Sequence, residues 1–160
     1  MSPLELILRN RQRTRAVNSR YLRRMARQCL ESFPELTRIE LGIHLVDNAK
    51  ITRLNRHYLH HAGATDVITF DHRETEAVDH LYGEVFLCVD EAVANARRYR
   101  TSWQQELTRY LVHGVLHLRG FNDATPAQQR RMKRAEDLHL RQLQKRFVLR
   151  RLGRPGKVRP

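Results

Sequence analysis

Two histidines four residues apart, His113 and His117, stand inside an apolar, periodic segment, and this segment constrains the chain more than any other. On an α-helix the spacing sets both imidazoles on one face, about 5–6 Å apart at Cβ, so that both can reach one metal ion. Gly120 follows; a residue without a Cβ takes the left-handed conformation that ends a helix at little cost. The chain can then turn back, which brings Asp123 within reach as a third ligand. Two His, one carboxylate and an open fourth position are the ligand count of a catalytic zinc site, not of a closed structural one. A His pair at this spacing often holds no metal, and the added Gly and acid are what tip the balance.

The rest of the segment reads as a helix opened by a capping-box signal, Ser102-x2-Gln105. Leu107, Leu111, Val115 and Leu118 form its core stripe, with His113 and His117 on the flank. Gly114 lies between stripe and ligands, which predicts close approach of a neighbouring strand or of the metal.

The segment HGVLHLRGFND resembles the HGxLHLxG(Y/F)DH signature of the YbeY family, bacterial zinc-dependent single-strand endoribonucleases implicated in 16S rRNA 3′-end maturation and ribosome quality control. It departs from that pattern at Asn122, where Asp is usual, and at Asp123, where the third His ligand would stand. A carboxylate is an ordinary zinc ligand, so Asp123 keeps the site while changing its charge and metal preference. The segment also overlays the metzincin protease pattern, but Gly114 occupies the place of that motif's general-base Glu. A metalloprotease is therefore the weaker reading.

A second stretch, LNRHYLHHAGATDVITF, resembles the family's LNxxYRxxxxPTDVLSF in the same register, and GEVFLCV resembles its LGDLVI segment. Leu59 replaces the Arg that follows the Tyr in the family, so the phosphate-contacting role of that Arg does not carry over. Arg53, Arg56, His60 and His61 are the nearby candidates to contact RNA instead, although each alone reads as a solvated surface group. Asp66 and Glu84 are candidate general bases, with a cap or surface acid as the plainer reading of each.

In chain order the patterns predict βαβαββααα. A strand over Leu4–Leu8 precedes a basic loop, Arg9–Arg15, and a helix from Asn18 or Ser19 runs to about Phe33, where Pro34 stops it. Arg38–Val46 alternates as a strand, and Asp47-Asn48 opens a short helix. Ala64–Phe70 and Gly83–Val89 are strands flanking a polar loop, in which His72 and His80 read as surface residues. Asp90 is placed to cap the next helix. Thr125-Pro126-x-Gln128 opens a last helix to about Leu149, with Met132, Ala135, Leu138 and Leu143 facing the core. The expected fold class is α+β: one mixed sheet of about four strands with packed helices, the metal-binding motif on a central helix. Residues 1–149 form a single domain and 150–160 a basic, disordered tail.

Thirty Lys and Arg against 17 Asp and Glu leave a net charge of +13, which points to a polyanion. The resemblance makes that partner RNA, a 16S rRNA precursor on the ribosome or its small subunit. Arg150, Arg151 and Arg154 in the tail join the candidate RNA contacts. Cys29 and Cys88 lack metal spacing and read as reduced core thiols, and no apolar run is long enough for a membrane span, so a cytoplasmic protein is expected. The function expected is a metal-dependent endoribonuclease with one Zn2+ per chain. Its catalytic side chain is unassigned; the nucleophile is either a zinc-bound water, whose pKa falls to about 7, or the RNA 2′-OH activated by a base. The alternative, favoured by Leu59 and Asp123, is an RNA- or ribosome-binding factor that has lost catalysis. Should Asp123 be a bystander, Glu136 and His139 are the next ligand candidates.

Overall fold

The computed structural model describes residues 4–59, 63 and 65–153. Its elements are β1 (Leu4–Asn10), α1 (Ser19–Glu31), β2 (Arg38–Val46), α2 (Asn48–Leu59), β3 (Val67–Asp71), β4 (His80–Cys88), α3 (Val89–Tyr99), α4 (Trp103–Leu118) and α5 (Pro126–Gln144). A 3-10 turn over Leu149–Leu152 follows. The fold is α+β, in the expected order. One sheet carries the strands as β1-β2-β4-β3, with β1/β2 and β2/β4 parallel and β3/β4 antiparallel.

Alternation along the strands sorts the two faces. Ile39, Leu41, Ile43 and Leu45 of β2, with Leu81, Val85 and Leu87 of β4, pack in the main core with residues of α1, α3, α4 and α5. Val46, Ile68 and Cys88 point the other way and meet Ile51 and Leu54 of α2. Asp47 caps α2 by accepting from the Lys50 N–H at 2.9 Å. Asp90 does not cap α3. It lies in that helix's first turn, where it accepts from Thr14 Oγ1 at 2.5 Å and from the Asn48 N–H at 2.7 Å. Both cysteines are free and buried, and burial pushes each thiol up to about 12, so neither is a thiolate at neutral pH.

The carboxyl end of the chain corrects two expectations. Helix α5 stops at Gln144, and Leu138 is 47% exposed. The buried positions of α5 are Met132, Glu136, Leu140 and Leu143, a phase in which Leu138 faces away from the core. The expected tail does not begin at residue 150. Phe147 packs edge-on against Tyr21, Leu152 is fully buried, and Val17 and Gly153 form an antiparallel bridge. The apolar residues Phe147, Leu149 and Leu152 supply enough burial to hold this segment against the domain. Arg154 and the remainder of the expected tail lie outside the described residues, as do His60 and His61.

Helix α4 is buried on most of its circumference, and two glycines allow it to lie so close to the sheet. A Cβ on Gly114 would come 2.8 Å from Val85 Cγ1 of β4. A Cβ on Gly83 of β4 would come 2.8 Å from Leu118 Cδ2 of α4 and 2.5 Å from the Phe70 carbonyl oxygen of β3. Of the two approaches the sequence suggested at Gly114, the strand is the one seen. Gly114→Ala gains about 1 kcal/mol of helix propensity but overpacks against Val85 at a cost of about 1–3 kcal/mol. The net expectation is a loss of about 1 kcal/mol, read as a melting temperature roughly 2–4 °C lower for a domain of this size. A higher melting temperature would show that the contact relaxes freely.

Candidate metal centre

Helix α4 starts where Ser102 accepts the Gln105 N–H at 3.1 Å. It ends in a Schellman motif: the Gly120 N–H donates to the His117 carbonyl and the Phe121 N–H to the Leu116 carbonyl, both at 3.0 Å. Gly120 has φ +95°, the left-handed conformation expected of it. The reversal returns the chain beside the helix and delivers Asp123 to the His pair.

Asp123 Oδ2 lies 3.3 Å from His117 Nε2 and 3.6 Å from His113 Nε2. The donor atoms of the three residues all fall within 4.8 Å of one another. Ligands bound to zinc at about 2.0–2.1 Å with tetrahedral angles are themselves roughly 3.3 Å apart, so this donor set fits one divalent ion with little rearrangement. All three expected ligands are thus brought together, half-buried or exposed at the rim of α4.

Behind the cluster lies a residue that the sequence suggested only as a substitute ligand. Glu136 of α5 is 8% exposed, and its Oε2 lies 2.7 Å from His113 Nδ1. A carboxylate there holds the proton on Nδ1 and leaves the Nε2 lone pair facing Asp123. Glu136 Oε1 accepts from Arg109 Nη1 at 3.1 Å, and Arg109 Nη2 reaches Asp137 at 3.0 Å. Arg109 precedes His113 by one helical turn, so α4 itself carries the cation that pairs with Glu136. Burial opposes charging of His113, yet the Glu136 hydrogen bond and charge, with Asp66 and Asp123 behind them, outweigh it and raise the pKa. Burial likewise works against the Arg109 guanidinium, and Glu136 and Asp137 reverse that effect. The available sequence signal for Glu136 was its position: a carboxylate four residues from Met132 and from Leu140, on the buried stripe of α5.

The other candidates separate. His139 is not at the cluster: it stacks on Phe33 with centroids 5.2 Å apart, and burial keeps it neutral. Glu84 is no base for this site, because strand alternation turns Val85 toward α4 and Glu84 to the opposite face. There it bonds His44 and His72, each at 2.8 Å, so His72 has a partner after all. Burial resists its charge, and the two imidazoles hold the carboxyl below its usual range. Asp66 is exposed, caps the Val67 N–H at 2.8 Å and acts electrostatically on His113. Arg53 and Arg56 lie exposed on α2, with Leu59 at its end, on the other side of the sheet from α4. Arg150 and Arg151 sit in the 3-10 turn.

Among proteins of known family, the chain is similar to Endoribonuclease YbeY from Chlorobium luteolum, 43% identical over 91 residues, which are 57% of this chain and 64% of that protein. It is 42% identical over 89 residues to its counterpart from Chlorobium phaeovibrioides, 56% of this chain and 58% of that one. Endoribonuclease YbeY from Salinibacter ruber is 40% identical over 106 residues, 62% of this chain and 68% of the relative. The matches to both Chlorobium proteins thus span less than two thirds of those relatives' lengths. The solution structure of a Thermotoga maritima protein shares the fold, with a TM-score of 0.61 over 89% of each chain at 22% identity. The family model described as Endoribonuclease YbeY matches residues 7–144, from within β1 to the last residue of α5 and across the whole His113–Asp123 reversal. By that match the chain belongs to the YbeY family.

Proposed function

We propose that the chain is a single-strand-specific, metal-dependent endoribonuclease acting in 16S rRNA 3′-end maturation and ribosome quality control. Family membership supports the reaction class. The observation that carries the metal dependence is the convergence of His113, His117 and Asp123, with Glu136 orienting the first of them. Zinc, one per chain, is the cation that this N2O donor set suits best. Bound there, it would supply Lewis-acid stabilisation of charge developing on the scissile phosphate.

The chain's own residues set the conditions for that chemistry. Glu136 fixes the tautomer and ring plane of His113, and Arg109 holds Glu136 in place by a hydrogen bond to its other carboxylate oxygen. Asp66 is the one of the two candidate bases whose charge acts on the cluster. The protease reading loses further support, because position 114 faces β4 and has no room for a carboxylate. The reading as an RNA- or ribosome-binding factor without catalysis keeps one observation in its favour, Leu59, which offers no phosphate contact. The small ribosomal subunit is the proposed partner and the cytoplasm the proposed location. Among the described residues no helix is long and apolar enough to cross a membrane.

Metal analysis of purified protein is expected to find close to one divalent ion per chain. His117→Ala should abolish its uptake, and Asp123→Asn should weaken it sharply, whereas Asp123→His should restore it. Glu136→Gln should lower affinity by about 10–100-fold because the ligand is no longer oriented. Wild-type protein that takes up no added zinc would sink the metal reading. Protein that binds zinc but cleaves neither single-stranded RNA nor peptide would favour the non-catalytic alternative.

The metal-free protein allows a separate test. The folded pKa of His113 is raised, so its charged form contributes stability that is complete below the ordinary His value and is lost as pH rises through the raised one. In Glu136→Gln burial is opposed only by the charges of Asp66 and Asp123, so the His113 pKa should fall. Ring-proton titration by NMR should place the His113 midpoint above about 6.5 in wild type and clearly lower in the variant. Equal midpoints would mean that Glu136 does not set the protonation of His113.

A further inference from the structure

Residues 145–153 lie beyond the stretch that the family model matches, yet they are folded. They run back along α1. Arg146 donates to Gln28 Oε1 at 3.1 Å, the Val148 N–H to the Tyr21 hydroxyl at 2.8 Å, and the Asn18 N–H to the Leu152 carbonyl at 2.7 Å. The segment therefore presents its own cations next to those of α1.

On α1 the exposed positions include Arg20, Arg24 and Arg27, spaced i, i+4, i+7, which makes one stripe about 10 Å long. Among the described residues none of these three has an acidic side chain within ion-pair distance. Arg146, Arg150 and Arg151 of the returning segment are exposed as well. Glu31, at the far end of α1, is the sole acid in residues 17–31 and 145–153. The guanidinium of Arg24 lies 5.6 Å from the ring centroids of both Tyr21 and Phe147. Contact with both rings limits its rotamers, so less ordering is required when it meets a phosphate.

We propose that α1 and residues 145–153 together form a docking face for the phosphate backbone of duplex RNA, distinct from the metal centre. The inference rests on RNA being the chain's partner and adds which part of that RNA is held, and by what. Charge complementarity selects a polyanion. The lack of a stacking platform selects duplex over single strand. Single-stranded RNA is gripped by bases laid on aromatic faces, whereas here Tyr21 is buried and Phe147 is packed against it under Arg24. An anionic bilayer is the lesser fit, because Val148 is the only large hydrophobic exposed on these two segments and a surface-bound helix needs an apolar face. The metal ligands belong to α4 and the turn after it, and the basic stripe is on the solvent side of α1, so one RNA can have its duplex held at α1 and its single strand presented to α4.

The test is binding of a blunt RNA duplex and of an unstructured oligoribonucleotide, in chelator, over a series of salt concentrations. The variants are Arg20→Gln/Arg24→Gln/Arg27→Gln and, separately, Arg150→Gln/Arg151→Gln; all five side chains are exposed, and matching melting curves establish that the fold is kept. Each variant should bind duplex at least about ten-fold more weakly, with a log–log salt slope shallower by about 1 for each phosphate no longer neutralised. Zinc-dependent cleavage of the unstructured oligoribonucleotide by the Arg20→Gln/Arg24→Gln/Arg27→Gln variant should be unchanged. Unaltered duplex affinity and slope would overturn the dock, and equal weakening on duplex and single strand would overturn its selectivity. Weaker binding to phosphatidylserine vesicles with duplex binding intact would reassign the face to membranes. Wild-type protein that cuts no RNA while the variants still bind duplex more weakly would refute the endoribonuclease reading and leave the dock standing. The reverse result would refute the dock alone.

Discussion

The close approach of α4 to β3 and β4 is the constraint on which the rest of this structure depends. It is permitted from both sides: Gly114 makes room for Val85, and Gly83 makes room for Leu118. With the helix seated so low, most of its surface is committed to packing, and only a narrow strip is left open. His113 and His117 lie on that strip. The two imidazoles therefore have little freedom beyond rotation of their own side chains, which is the preorganisation a ligand pair needs. The same seating fixes where the helix ends, and the Schellman turn at Gly120 converts that end point into the position of Asp123.

A second level of organisation is electrostatic. The chain has a large excess of positive charge, yet carboxylates gather at the cluster: Asp123 is in it, Glu136 lies behind it, and the charge of Asp66 acts on His113. Arg109 offsets one of them through a contact only partly exposed to water, where pairing is worth more than on an open surface. Elsewhere the cations of α1 have no such partners among the described residues. Positive charge is thus spread over the outer faces, while negative charge is concentrated where a cation would be held.

Much of this was legible in the sequence because it followed from local rules. The four-residue His spacing, the glycine that ends the helix and the acid after it act over a dozen residues, and all three donors meet as expected. Strand alternation and the capping signals at Ser102 and Thr125 are equally local, and they hold. The departures arise where distant segments decide. Leu138 sits at an acceptable helical spacing, but α5 takes its phase from contacts with α4 that place Glu136 inward, so Leu138 turns out. Residues 150–153 belong to a stretch that reads as too polar to fold by itself, and they are held in place because Tyr21 and the core around Val17 accept Phe147 and Leu152.

Asp123 links the two levels of organisation. Where the family pattern has a neutral imidazole, this chain has a carboxylate, which makes the cluster one unit more negative. A divalent ion held there would have part of its charge offset by Asp123, while Glu136 is paired with Arg109. A site offset in this way would exert less long-range pull on a polyanion, even though the ion could still polarise a phosphate in direct contact with it. Attraction over distance would then come from other parts of the surface. The exposed arginines of α1 and the returning segment are where this chain carries charge that is both fixed in position and unpaired among the described residues. On the functional reading proposed above, the arginines of α1 would supply the attraction that the metal centre does not, so that capture and chemistry would fall to different faces of the same domain.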